Sequence, residues 1–266
     1  MKLSVVMPVY NEIGTIAEIV KLVGKALPDI EKELVVVDDG SRDGTRDWLI
    51  ARFGPVPTEP ELLADSPRPG SAIEFCNNLT VRAVFHNKNK GKGAAIRTAM
   101  KICSGDIIVI QDADLEYDPS DWGTMYELVG VRSVADVVYG SRFYGKPHRS
   151  LYYHHYLGNR FISVLFDMLY NQTLTDIEVC YKMFTRAVLH SLNVTSNDFG
   201  IEVQISAQIA LNRNWRIYET GIRYYGRTYQ EGKKINWKDG LKALLYLIKF
   251  RIWPGNETKG KYRVTE

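Results

Sequence analysis

An α/β fold built on a mostly parallel sheet is the architecture the sequence predicts, and three observations predict it. Short apolar runs, among them Leu3–Val9, Leu34–Val37 and Ile107–Ile110, are too brief for helices and read as buried strands. The stretches after the first two runs carry apolar residues at helical spacing, giving the strand–helix–strand alternation of parallel sheets with right-handed crossovers. Each run ends in a polar cluster, Tyr10-Asn11-Glu12, Asp38-Asp39-Gly40-Ser41 or Gln111-Asp112-Ala113-Asp114. In such sheets ligands bind beyond the carboxyl ends of the strands, so three polar clusters at three such ends point to one site.

Taken in order, the first strand leads to a helix marked by Ile13, Ile16, Ala17, Val20, Val23 and Leu27, capped by Asn11 or Thr15 and stopped by Pro28. After the second strand, Asp43-Gly44-Thr45 opens another helix. Residues 54–79 hold five of the ten prolines between 55 and 69, so this span is expected to be a surface insertion with little regular structure. Strand Val81–Phe85 precedes Gly91 and Gly93, which suit a tight turn into a helix. Lys90, Lys92 and Arg97 place positive charge near that helix's N-terminus.

In the fourth strand's exit, Asp112 and Asp114 flank a single residue. In extended backbone alternate side chains share a face, so both carboxylates face one cleft. Two like charges that close repel unless a cation intervenes, and an oxygen-liganded divalent ion, suited to a diphosphate, meets that need. An Asp-rich turn is the alternative. Further on, Pro119 starts a helix to Val129, Ala135–Tyr139 is a strand, and residues 142–155 are basic and aromatic. A helix over 156–170 carries Leu157, Phe161, Val164, Leu165, Met168 and Leu169 on one broad face, with Arg160 in its midst. Cys180–Thr185 and Trp215–Tyr218 are strands, and Phe199–Glu202 leads into a helix. His154 and His155 are adjacent and do not face one way on a helix, which argues against a metal pair.

From 221 to 263 there are eleven Lys or Arg against three acids, and Leu241, Leu244, Leu245 and Ile248 mark a helix face with Trp253 at its end. That helix either packs on the domain or lies in a lipid headgroup region. The expected organisation is a catalytic domain over 1–220, a basic amphipathic region over 221–254 and a loose tail over 255–266.

Composition bounds the function. Hydrophobic content of 45% and charged content of 24% are ordinary for a globular protein. A net charge of +3 carries no nucleic-acid signal. Three cysteines without ligand spacing suit a reducing compartment. No secretory signal is expected before the first strand, and no apolar run reaches the ~18–20 residues that span a bilayer. Membrane contact is therefore expected from the surface, on the cytoplasmic face.

The segments V-V-M-P-V-Y-N-E (5–12), V-V-V-D-D-G-S-R-D-G-T (35–45), N-K-G-K-G-A-A-I-R (89–97) and Q-D-A-D-L-E-Y-D-P (111–119) together resemble glycosyltransferase family 2. More narrowly they are similar to the polyprenyl-phosphate hexose synthases that make dolichyl-phosphate glucose and mannose. G-S-R (140–142), G-N-R-F-I-S (158–163) and T-D-I-E-V-C-Y-K-M-F (175–184) extend the match. The resemblance implies a GT-A fold, a nucleotide-sugar donor (UDP-sugar favoured), a divalent Mg²⁺ or Mn²⁺ and inversion at the sugar. Pro8, Tyr10, Glu12 and Asp39 would hold the nucleoside, Asp38 and Gly40 would shape its pocket, and Lys92 and Gln111 would lie beside it. Asp112 and Asp114 would bind the metal and diphosphate. Arg142, Arg149 and Arg160 would hold the phosphate of a polyprenyl (dolichyl or undecaprenyl) acceptor.

A phosphate acceptor is ionised at neutral pH and needs cations rather than a base. A hydroxyl acceptor on a lipid or glycan would need a carboxylate within reach, for which Glu202 and Asp176 are the candidates. Many of these synthases carry C-terminal membrane spans, and this sequence departs from them there. It would meet its lipid through the 156–170 and 241–253 helices. A sugar-nucleotide binder without turnover, or a nucleotidyltransferase, fits the motifs less well.

Overall fold

A computed structural model describes residues 1–54, 73–76, 78–150, 152–228, 230–231 and 237–253. Most of the proline-rich span and the tail expected over 255–266 lie outside the described residues. Among the described residues eight strands form one sheet in the order β3-β4-β2-β1-β5-β7-β6-β8. They are β1 (Leu3–Val9), β2 (Lys32–Asp38), β3 (Ile73–Cys76), β4 (Leu79–Phe85), β5 (Ile107–Ile110), β6 (Val137–Ser141), β7 (Lys182–Thr185) and β8 (Ile217–Gly221). β1 lies between β2 and β5, parallel to both, with Val9 opposite Asp38 and Val6 opposite Ile110. The runs buried on both faces are continuous Val, Ile and Leu, as a helix-covered parallel sheet requires.

Two departures from the sequence expectation matter. The span over 54–79 is not wholly irregular: β3 pairs antiparallel with β4 as the sheet edge. Proline ends at Pro69, so nothing prevents the I-E-F-C run from extending a ladder. In the 16–25 helix, Ile16, Ile19, Val20 and Val23 are buried, whereas Ile13 and Ala17 face solvent. Neither expected cap forms there. Thr15 occupies the N-cap without a capping bond. Its hydroxyl instead donates to Glu12 and to the Ala113 carbonyl, which ties the first strand's exit to the acidic turn.

β7 runs antiparallel to both β5 and β6. β6 therefore points the same way as β5, and its exit, Arg142, emerges at the same sheet edge as Asp112. The reversed β7 contributes its entry instead, so residues 176–181 arrive at that edge too. The 200–211 helix is buried on every side, from Gly200 to Ala210, between the sheet region and the C-terminal helix.

Gly40 turns the chain after β2 with φ of 81°. A Cβ there would stand 2.7 Å from the Asn89 backbone nitrogen. The position is accordingly closed to side chains by neighbouring backbone rather than by a ligand. Gly40→Ala is expected to lower unfolding stability by about 2–4 kcal/mol in urea titration, through left-handed strain and the clash together.

Candidate active site

The exits of β1, β2, β5 and β6 and the entry of β7 surround one cleft of about 1040 Å³. Pro8, Tyr10, Glu12, Asp39, Lys92, Asp112, Asp114, Arg142, Arg149 and Glu202 all line it. The sequence motifs thus converge in space. Five other candidates, the buried Asp176 among them, stand behind the wall. Asp38 is buried and receives Arg46 Nε at 2.7 Å, while Gly40 makes the turn described above. Gln111 donates to the Asp112 carbonyl at 2.9 Å and accepts from Tyr181 at 2.6 Å, so it braces the acidic turn from within. Arg160 donates to the Thr175 carbonyl at 2.9 Å.

Asp39 brackets the glycine turn. Its carboxylate accepts from Lys90 N at 2.9 Å and Gly91 N at 2.7 Å, and His86 Nδ1 sits 2.6 Å away. The turn that opens the 92–102 helix is in this way fixed to the end of β2. That helix presents Lys92, whose Nζ lies 2.8 Å from Asp112 and 2.6 Å from Glu202. Burial alone would lower the Lys92 ammonium, but Asp112 and Glu202 outweigh it and hold the group well above the usual lysine range.

Asp114 is balanced differently. Arg227 reaches it at 2.8 Å, Glu116 at 3.2 Å and Glu12 at 3.4 Å, one guanidinium serving three carboxylates. Burial first, then Asp112 and Glu116, push the Asp114 carboxyl up to about 7 against the pull of Arg227. Five carboxylates meeting one arginine and one lysine leave net negative charge in a confined space, which suits a divalent cation. Among the described residues no group of three His, Cys, Asp or Glu forms a closed metal cage. Asp112 and Asp114 are thus the pair that would hold such an ion, with phosphate oxygens and water completing its shell.

Also lining the cleft, Arg142 is clamped by buried Asp176 through Nε at 2.6 Å and Nη2 at 2.7 Å. Its guanidinium also lies 5.3 Å over the Tyr224 ring. Such a bidentate, stacked arginine is oriented before anything binds. Arg149, half-exposed at the mouth, pairs with Glu231 at 2.7 Å.

Sequence reasoning missed Arg227 and Glu116. Glu116 was accessible to it, two residues beyond Asp114 on the same alternation. Arg227 carries no local signal, because the residues it serves are over a hundred positions away in the chain.

The family model for glycosyl transferase family 2 matches residues 4–53 and 65–192, most of the strands and turns that build this cleft. The chain belongs to glycosyltransferase family 2. As a family 2 glycosyltransferase it is 30% identical over 143 residues to a dolichol-phosphate mannosyltransferase of Pyrococcus furiosus, covering 54% of this chain and 34% of that protein. It is 33% identical over 120 residues to an undecaprenyl-phosphate 4-deoxy-4-formamido-L-arabinose transferase of Pseudomonas fluorescens, covering 44% of this chain and 29% of that one. The chain therefore matches about a third of the length of these relatives. Its fold is shared with glucosyl-3-phosphoglycerate synthase of Mycobacterium tuberculosis, solved with Mn²⁺, UDP-glucose and phosphoglyceric acid. The TM-score is 0.65 at 18% identity, over 96% of this chain and 81% of the synthase. The GT-A-like α/β architecture expected of the family is thereby present.

Proposed function

We propose that this transferase moves a hexose, with inversion and with Mg²⁺ or Mn²⁺, from a nucleotide sugar, a UDP-sugar in preference, to a polyprenyl phosphate at a membrane surface. The observation that carries this reading is the shape of the cleft. It runs from Asp112 and Asp114 past Arg142 and Arg149 and opens between the 153–170 and 237–252 helices, both of which line it. Those helices are joined, Tyr170 donating to the Leu247 carbonyl at 2.8 Å and Arg251 to that of Leu169 at 3.0 Å.

Both helices turn an apolar stripe outward. Tyr153, Leu157, Phe161, Val164 and Met168 are 48–78% exposed, while Ile162, Phe166 and Tyr170 pack inward. Leu241, Leu245, Ile248 and Ile252 are 52–62% exposed, whereas Ala243, Leu247 and Phe250 are buried. The C-terminal helix thus both packs on the domain and offers a second face. Lys242, Lys249 and Arg251 flank that face, which suits an anionic lipid surface. Contiguous exposed apolar surface of this kind marks an interaction site. No helix among the described residues is long and apolar enough to cross a membrane.

In the proposed reaction a divalent ion on Asp112 and Asp114 supplies charge neutralisation for the departing diphosphate. The chain's own residues do the rest. Asp39, Tyr10 and Pro8 floor the nucleoside pocket, and Lys92 adds positive charge beside the acidic pair. Arg142 and Arg149 receive the acceptor phosphate, already ionised, and the polyprenyl tail leaves between the helices. The hydroxyl-acceptor alternative has less support, since Asp176 is held by Arg142 and Glu202 by Lys92. Radiolabelled UDP-glucose with Mn²⁺ and either undecaprenyl phosphate or undecaprenol separates the two, and transfer to the alcohol alone would reverse the ranking.

Arg149→Ala is expected to raise the KM for polyprenyl phosphate about tenfold by removing a charge-assisted contact, with donor affinity unchanged in calorimetry. An unaltered KM would remove Arg149 from the acceptor site.

A further inference from the structure

Glu178 lies in the 176–181 segment that the reversed strand β7 brings to the cleft. It lines the cleft wall, yet forms no hydrogen bond or ion pair with any described residue. The charged groups that act on it are Arg142, Asp176, Glu202 and Lys182. Glu202 connects through Lys92 to Asp112, at 2.6 and 2.8 Å. Glu178 therefore shares one cleft wall region with Arg142 and with the Glu202–Lys92–Asp112 chain, all of which line the same cleft. Beside it, the second oxygen of Glu202 is buried and makes no hydrogen bond. Lys182, at 3.7 Å from that oxygen, spends its ammonium on the Val179 carbonyl.

A wall of two carboxyl groups with unused hydrogen-bonding capacity selects its ligand by exclusion. It repels phosphate and carboxylate, and an apolar chain against it would strip its water without return. A neutral polyol satisfies it, because hydroxyls both donate and accept. We propose that Glu178 is a specificity-determining residue that binds a hydroxyl of the transferred sugar and restricts the donor to neutral hexoses over uronic acids. This rests on the donor reading given above, since it places the sugar between the diphosphate and Arg142. Burial, opposed by Arg142 and reinforced by Asp176 and Glu202, raises the Glu178 carboxyl to about 7, so near neutrality it both donates and accepts.

The test is calorimetric titration of the full chain with UDP, UDP-glucose and UDP-glucuronate in Mn²⁺, for wild type, Glu178→Ala and Glu178→Gln. Wild type is expected to prefer UDP-glucose over UDP-glucuronate. Glu178→Ala should weaken UDP-glucose about tenfold while leaving UDP within about twofold, the loss of one buried hydrogen bond. Glu178→Gln should narrow the glucose-to-glucuronate preference about tenfold. A second readout tests the burial of the carboxyl. With the folded pKa above the unfolded value, the ionised carboxyl destabilises the native state as pH rises from about 4.5 to 7. Glu178→Gln should therefore gain thermal stability relative to wild type at pH 8 but not at pH 4. Unchanged sugar preference in both variants would overturn the assignment of Glu178 alone. Wild-type protein that binds none of the three ligands would overturn the donor reading, and the inference with it. Lost turnover with unchanged UDP-glucose binding would place Glu178 on the acceptor and also overturn it.

Discussion

Replacing Asp114 by alanine is expected to reduce sugar transfer by at least about 10³-fold, the scale of losing a principal electrostatic contact to a charge that develops in the transition state. The site makes this the most sensitive single position. In the proposed reaction Asp114 and Asp112 would hold the cation, and without Asp114, Arg227 at 2.8 Å would be left facing Glu116 and Glu12. The freed guanidinium would not replace a divalent ion, which would supply twice its charge to the departing diphosphate. Donor binding measured with and without Mn²⁺ checks the cause: wild type should show a metal-dependent gain in affinity and the variant should lose it. Turnover within tenfold of wild type, in a variant with a native circular dichroism spectrum, would sink the metal-held diphosphate.

Converting Leu245 and Ile248 together to aspartate is expected to weaken binding to anionic vesicles about 30- to 1000-fold. Both side chains are more than half exposed, at 62% and 52%, so the folded domain gives up little when they change. In a lipid interface each would lose roughly 1–2 kcal/mol of apolar burial, and each new carboxylate is repelled by the anionic surface. Sedimentation with phosphatidylglycerol vesicles measures the first effect. Transfer to a short, water-soluble polyprenyl phosphate analogue should stay at the wild-type rate, because neither residue lines the cleft. Equal sedimentation of variant and wild type would exclude this face as the membrane surface.

Different parts of the molecule were unequally legible. β1, β2 and β5 were readable because a strand buried on both faces must be a continuous apolar run, and few other structures use one so short. Their exits were readable as a site because parallel strands necessarily end on one edge. The boundaries drifted by up to a few residues, as at β2, which begins at Lys32 rather than Leu34. β3 was hidden by adjacent prolines, which dominate the local signal although the strand begins beyond them. In the 153–170 helix the apolar positions were correctly grouped, but periodicity alone does not say which apolar face the core takes. The core took Ile162, Phe166 and Tyr170 and left Phe161 and Met168 outside.

The candidate site divides along the same line. Asp112 and Asp114 announced themselves because two carboxylates on one face of an extended turn form a local pattern. The sequence by itself also determined the sheet's strand runs and the family, through motifs whose residues are neighbours in the chain. Only the tertiary structure decided that Arg227 answers Asp114, that Asp176 consumes two arms of Arg142, and that Glu178 lines the cleft without a hydrogen-bond partner among the described residues. Charge balance in a buried pocket depends on distances between groups a hundred residues apart, and folding alone sets those distances.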